Sequence, residues 1–118
     1  MALVFPVRYN GESKIKYVFP TKQKDVDTII KYAKSVDYIQ RIIIFGSAVT
    51  WKCNVNSDID IAVCFSDDND DNSYSIFFKF LTKNIKSQFD LIDYQNNTNK
   101  YLKKDIDTKG VVIYDRFN

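Results

Sequence analysis

The chain has 118 residues, of which 45% are hydrophobic, and a formal net charge of +2. This length fits one small domain with its own core, and so small a charge gives no support for direct nucleic-acid binding. No apolar run approaches the roughly 18 residues of a membrane helix, and no secretory leader is evident, so we expect a cytoplasmic protein without membrane contact. The sequence contains no histidine, which leaves carboxylates, lysines, tyrosines or water as general bases.

The first 20 residues are predicted to form a β-hairpin extension, and residues 21–118 the main domain. Asn10 and Gly11 are the strongest turn signal in the chain, because both residues tolerate positive φ. The hairpin either shields an edge of the main sheet or docks a partner or a second copy, which would make the protein a homo-oligomer.

The next elements are a packing helix and a central strand. Helical spacing of apolar residues predicts a helix over residues 21–35, with Val26, Ile29 and Ala33 on its buried face. The continuous apolar run that follows predicts a strand over residues 41–45, covered on both of its faces.

A Gly-Ser turn and a pair of aspartates carry the candidate chemistry. Gly46 and Ser47 end the central strand, and ten residues later Asp58 and Asp60 begin a strand predicted over residues 58–65. The turn should bring backbone N–H groups to a helix start, which is an anion site, with the Ser47 hydroxyl as a further donor. Asp58 and Asp60 should share one strand face, and Mg²⁺ in proteins prefers one or two carboxylates plus phosphate oxygens. The pattern predicts metal-assisted attack at phosphorus, although aspartates at a strand start can also simply cap a turn.

The second half of the chain repeats helix and strand. A solvated acidic loop over residues 66–73 precedes a helix over residues 73–87, a strand over residues 88–94, a helix over residues 99–107 and a strand over residues 111–114. Thr98 is the predicted cap of the last helix. No internal repeat is present.

At Gly46, Ser47, Asp58 and Asp60 the sequence resembles the minimal nucleotidyltransferase family of the DNA polymerase beta superfamily. The signature of that family is an apolar strand, Gly-Ser, about ten residues and Asp-x-Asp. The resemblance extends over about residues 26–114. It implies an α/β fold, with a mixed β-sheet and helices packed on one side.

The resemblance also implies roles for individual residues. Asp58 and Asp60 would hold two Mg²⁺ ions, and Gly46 and Ser47 would hold the terminal phosphates of ATP or another nucleoside triphosphate. The superfamily carries a third acidic residue on a later strand, and Asp90 matches that position; it would complete a metal site and accept the proton of the attacking hydroxyl. Asp93 is the competing residue, but it should face the other side of its strand.

The segment after Ser47 departs from the family pattern. Relatives commonly carry an arginine and a glycine there, whereas this chain has Ala48, Val49, Thr50 and Trp51. The Trp51 side chain could stack on a base, or it could pack within the domain. Lys52 could contact phosphate, or it could face solvent.

The resemblance implies an acceptor that lies on a partner, because the chain is too short for the helical acceptor domain of larger relatives. Many such minimal proteins are MntA-like antitoxins, paired with a HEPN toxin to which some of them transfer AMP. Two alternatives remain: transfer to a small molecule such as an antibiotic, and a non-catalytic module that neutralises its partner by contact.

Overall fold

The computed structural model describes residues 4–9, 12–17, 22–49, 56–66, 72–97 and 99–117. The elements in chain order are β1 (Val4–Tyr9), β2 (Glu12–Tyr17), α1 (Gln23–Ser35), β3 (Ile39–Phe45), a 3₁₀ turn (Gly46–Val49), β4 (Ile59–Phe65), α2 (Ser73–Asn84), β5 (Phe89–Asp93), α3 (Lys100–Lys109) and β6 (Val111–Asp115). The described helices are each too short or too polar to cross a membrane.

The main sheet has four strands in the order β5-β4-β3-β6. Strand β3 pairs antiparallel with β4 and with β6, whereas β4 pairs parallel with β5. The predicted mixed sheet of an α/β fold is therefore confirmed. Residues 42–45 of β3 are all buried, as expected for a central strand covered on both faces.

One face of the sheet packs against α1 and α2. Alternate side chains of the strands, among them Ile42, Ile44 and Ile61, form a continuous core with Ile29 of α1 and Phe77 of α2. This alternation follows from the strand period of two, and it leaves the remaining side chains of the same strands to the opposite face.

The opposite face packs against α3. Here Ile43, Phe45 and Ala62 of the sheet surround Ile106 of α3, which is almost completely buried. The prediction that the helices pack on one side is therefore wrong for α3. The reason is that β3 is apolar at every position of its second half, so both faces of the sheet need a helical cover.

The predicted N-terminal hairpin is present as the antiparallel pair of β1 and β2. Tyr9 stands opposite Glu12, which leaves a two-residue connection; Asn10 and Gly11 themselves lie outside the described residues. Cα atoms of β1 approach those of β6 within 8 Å. Whether the hairpin is a separate extension, and whether it shields an edge or docks a partner, stays a prediction.

Several element ends differ from the predicted ones. Helix α2 ends at Asn84, because Ile85 adopts an extended conformation. The cap of α3 is Asn99, whose side-chain oxygen accepts hydrogen bonds from the backbone N–H groups of Tyr101 and Leu102 at 3.1 Å each. Thr98, the predicted cap, lies outside the described residues.

Replacing Gly110 by alanine should lower the free energy of unfolding by about 1–3 kcal/mol, as overpacking does. A Cβ atom there would lie 2.4 Å from the Ile106 carbonyl oxygen and 2.5 Å from Cγ2 of Ile43. The same Ile106 carbonyl caps the helix by accepting the Gly110 N–H at 2.8 Å. Urea denaturation measures the change, with the exposed neighbour Lys109→Ala as the control; equal midpoints for the two variants would contradict this packing.

Candidate active site

Two aspartates stand side by side where β4 and β5 begin. Asp60 of β4 and Asp90 of β5 are direct partners in the parallel register, so both side chains project from the same face of the sheet. Ala62, two residues beyond Asp60, packs in the α3-side core, as do Ile92 and Tyr94 beyond Asp90. The pair therefore lies on the α3 side of the sheet, with Asp60 half-buried and Asp90 exposed.

The carboxylates crowd one another. Burial raises the pKa of Asp60, and so do the charge of Asp90, a hydrogen bond with Asp90 and the charge of Asp58; together they bring it to about 6. Asp58 itself precedes β4 and is exposed. Negative charges this close favour a bound cation between them or a shared proton.

Gly46 follows the last residue of β3, and its backbone lies beside the Asp60 carboxylate. Its φ of +72° is a left-handed conformation that glycine adopts without strain. A Cβ atom at this position would lie 2.1 Å from Oδ2 of Asp60, so the carboxylate rests on the bare glycine backbone. The structure therefore brings the Gly-Ser turn and the Asp-x-Asp segment together, as the sequence pattern predicts.

Within the described residues, a 3₁₀ turn, Gly46–Val49, follows β3. The described part of the predicted helix start is this 3₁₀ turn, and an anion site at its N–H groups stays a prediction. The side chain of Ser47 lies outside the described residues, as do Trp51, Lys52 and the acidic loop over residues 67–71.

Asp93 does not join the pair. Its side chain lies on the same face of β5 as Leu91, which packs in the core on the α1 and α2 side. Its Oδ2 accepts a hydrogen bond from Nδ2 of Asn96 at 2.7 Å, while its buried Oδ1 has no hydrogen-bond partner among the described residues. Of the two competing aspartates, only Asp90 stands beside Asp60.

The carboxylates form an open site and not a closed metal cage. Within the described part of the chain, no three histidine, cysteine, aspartate or glutamate side chains are arranged to hold a metal ion together. Mg²⁺ in nucleotide enzymes commonly takes one or two carboxylates and completes its shell with water and phosphate oxygens. The mutual repulsion at Asp60 and the exposed Asp90 fit such a partial ligand set.

Two further contacts near the site were not anticipated from the sequence. The Tyr74 hydroxyl donates to the Leu91 carbonyl oxygen at 2.7 Å; burial raises the pKa of Tyr74, and so do the nearby charges of Asp93 and Asp90. Asp25 of α1 is buried beneath the turn that leads into β5. The position of Asp25 beside the apolar stripe of α1, four residues before Ile29, is the sequence signal that could have marked it as buried.

The family model described as "Polymerase beta, Nucleotidyltransferase" matches residues 27–117. This range agrees with the resemblance read from the sequence, which covers about residues 26–114. Among curated proteins, no significant match is found.

Several solved structures are similar in sequence and in fold. A chain of a toxin–antitoxin crystallised with AMP-PNP is 28% identical, with a TM-score of 0.63, over 77% of this chain and 73% of that one. A mutant of the toxin–antitoxin MntA-HpeT, in which two aspartates two positions apart are glutamates, gives 26% identity and a TM-score of 0.62 over 76% and 73%. A chain of the tri-AMPylated Shewanella oneidensis HEPN toxin in complex with MNT antitoxin is 27% identical, with a TM-score of 0.59, over 80% of this chain and 72% of that one.

Replacing Asp60 by asparagine should raise the thermal midpoint of the metal-free protein at pH 8. The folded-state pKa of about 6 lies above the ordinary value of 3.8. As the pH falls, the folded state therefore binds a proton at Asp60 at a higher pH than the unfolded state does. The ionised Asp60 destabilises the folded protein above about pH 6, and protonation removes this destabilisation toward pH 4.

Melting curves in a metal chelator at pH 8 and near pH 4.5 test this, with the exposed Asp27→Asn as the control. The gain of Asp60→Asn over the wild type should be clear at pH 8 and should shrink at the lower pH. A lower midpoint than the wild type at pH 8 would contradict the crowding of charge.

Proposed function

Because the chain belongs to the polymerase beta nucleotidyltransferase family, we propose that it transfers a nucleoside monophosphate, AMP from ATP in the first instance, to a hydroxyl group of a partner protein. The observation that supports this is the pairing of Asp60 with Asp90 on one sheet face, against the bare backbone of Gly46. A carboxylate pair opposite a Gly-Ser turn provides ligands for cations on one side and N–H donors for phosphate on the other.

Each of these residues has a role in the proposed reaction. Asp58, Asp60 and Asp90 would hold Mg²⁺, and two bound ions would neutralise charge on the phosphate and on the attacking and leaving oxygens. Gly46 and Ser47 would donate backbone N–H groups to the terminal phosphates. These groups lie at the ends of β3, β4 and β5, and rigid strands hold them in place without reorganisation during the reaction.

The proposed step is an in-line displacement at the α-phosphorus. The acceptor oxygen forms a bond to this phosphorus while the bond to the bridging oxygen breaks, and pyrophosphate leaves with that electron pair. The hydroxyl proton passes to Asp90, whose exposed carboxylate an incoming acceptor can reach. A carboxylate as proton acceptor agrees with a chain that has no histidine.

A HEPN-type toxin is the proposed acceptor, and antitoxin the proposed role. The similar solved structures are toxin–antitoxin complexes. One of them is a tri-AMPylated HEPN toxin in complex with an MNT antitoxin. Another holds AMP-PNP, which supports an adenine nucleotide as the donor. One of these structures is a mutant in which two aspartates two positions apart are changed to glutamate, the same spacing as Asp58 and Asp60.

The transfer can be measured with α-labelled ATP, Mg²⁺ and a HEPN-type protein from the same source. Label should appear on the HEPN-type protein. Asp90→Asn should reduce the rate about 10²- to 10⁴-fold, since it removes the proton acceptor. The matched control is Asp93→Asn, which makes the same chemical change three residues away on the other face and should leave the rate nearly unchanged.

Other outcomes would contradict parts of the proposal. A large loss in Asp93→Asn with full activity in Asp90→Asn would reverse the assignment of the third carboxylate. Label on an added aminoglycoside, with none on the protein, would favour a small-molecule transferase. If the wild type transfers no label but still neutralises its partner, the non-catalytic binding module is the correct reading.

A further inference from the structure

A buried ionic cluster joins the first turn of α1 to the turn that precedes β5. Asp25 is 7% exposed and Lys22 is 1% exposed. Oδ1 of Asp25 accepts the backbone N–H of Lys86 at 3.0 Å, and Oδ2 accepts that of Ser87 at 3.0 Å. Nζ of Lys22 donates to Oγ of Ser87 at 3.2 Å, so the turn is held from two sides.

These contacts are specific to an ionised carboxylate. Burial by itself would raise the pKa of Asp25, but hydrogen bonds from Lys86 and Ser87 and the charge of Lys22 outweigh burial and lower it. A carboxylate that accepts two backbone N–H groups at once fixes the orientation of both peptides. An asparagine of the same shape offers one oxygen and one NH₂ group, so it can satisfy only one of them.

The clamped turn leads directly to the carboxylate pair. The residue after Ser87 is Gln88, whose carbonyl oxygen accepts the N–H of Ile59 at 2.9 Å. Ile59 lies between Asp58 and Asp60, and Gln88 is two residues before Asp90. This hydrogen bond lies beside the first partners of the β4–β5 register, Ile59 and Phe89, and one position before the Asp60–Asp90 pair.

Strand β5 is held by pairing on one edge, by the buried Leu91 side chain and by the hydrogen bond from the Tyr74 hydroxyl to the Leu91 carbonyl oxygen. It is five residues long, and in the described sheet it pairs with β4 alone. A slip by one residue would turn Asp90 to the opposite face, because side chains alternate along a strand. The like charges of Asp60 and Asp90 also repel one another, so the ladder needs support from outside the pair.

We propose that Asp25 is a positioning residue: it clamps the peptides of Lys86 and Ser87 and so holds β5 in the register that places Asp90 beside Asp60. The catalytic consequence rests on the proposed function, whereas the register itself is a property of the fold. Asp25 touches neither the carboxylate pair nor the Gly46 turn in the described contacts. Its effect on the reaction passes through the backbone of residues 86–88.

The test compares Asp25→Asn with two controls on the same helix. Asp27→Asn makes the same chemical change at a position where the carboxylate forms an ion pair with Lys31 at 2.9 Å. Ile29→Val removes one buried methylene and loosens α1 without touching the clamp. All variants are studied well below their melting temperatures, so that a general loss of stability does not enter the result.

The first readout is independent of catalysis. Amide hydrogen exchange measured by NMR should show that the amides of Ile59, Lys86 and Ser87 exchange at least tenfold faster in Asp25→Asn. Nuclear Overhauser contacts report the proximity of β4 and β5. The Asp60–Asp90 cross-strand contact should weaken in the same variant. Amides of β3 should keep their protection, and both controls should keep the wild-type pattern at these sites.

The second readout is the transfer reaction. In Asp25→Asn, kcat should fall at least tenfold while KM for the nucleotide stays within threefold, because the phosphate-binding turn is untouched. The controls should keep both constants. Local loosening with an unchanged kcat would overturn the positioning role, and unchanged exchange and cross-strand contacts in Asp25→Asn would overturn the clamp. A wild type that transfers nothing would refute the proposed function, while the NMR readout would still decide the clamp.

Discussion

The contact on which the rest of the site depends is the parallel partnership of Asp60 and Asp90. Two carboxylates placed opposite one another in a sheet repel, and burial together with this repulsion raises the pKa of Asp60. The fold holds them together nevertheless, through the β4–β5 ladder and the backbone of Gly46, which leaves room for Oδ2 of Asp60. A protein does not keep such an arrangement for stability, so it points to a cation or a reacting group as the missing counterpart.

The two-sided cover of the sheet explains why the pair is accessible. Helices α1 and α2 pack against one face of the sheet, whereas α3 packs against the other face around Ile106. The carboxylates lie on the α3 side, at the end of the sheet where β3 gives way to the Gly46 turn. The exposed Asp90 carboxylate therefore lies at the surface, whereas the main core lies on the opposite face of the sheet.

Much of this arrangement was readable in the sequence, because it depends on local periodicity. The alternation that separates Asp90 from Asp93 follows from the strand period of two, and the apolar run of β3 predicts a strand covered on both faces. The spacing from Gly46 to Asp60 was recognised through the family resemblance. The face on which α3 packs was not readable: Leu102 and Ile106 mark an apolar stripe, but a stripe does not say which side of a sheet it covers. The role of Asp25 was hidden for a similar reason. An aspartate in a first helical turn normally interacts with the helix dipole. The position of Asp25 beside the apolar stripe of α1 suggests burial, but only the structure shows that it binds a backbone N–H about 60 residues along the chain.

If the aspartates form a metal-dependent nucleotide site, ATP binding measured by calorimetry will require both Mg²⁺ and these carboxylates. The wild type is titrated with and without Mg²⁺, alone and with its partner, beside a variant that carries Asp58→Ala and Asp60→Ala. We expect the wild type to bind ATP only when Mg²⁺ is present, and the variant not to bind it. Without metal, the melting temperature of the variant should be no lower than that of the wild type. Equal binding by the two proteins, or no binding of any nucleotide by a folded wild type under either condition, would contradict a metal-dependent nucleotide site.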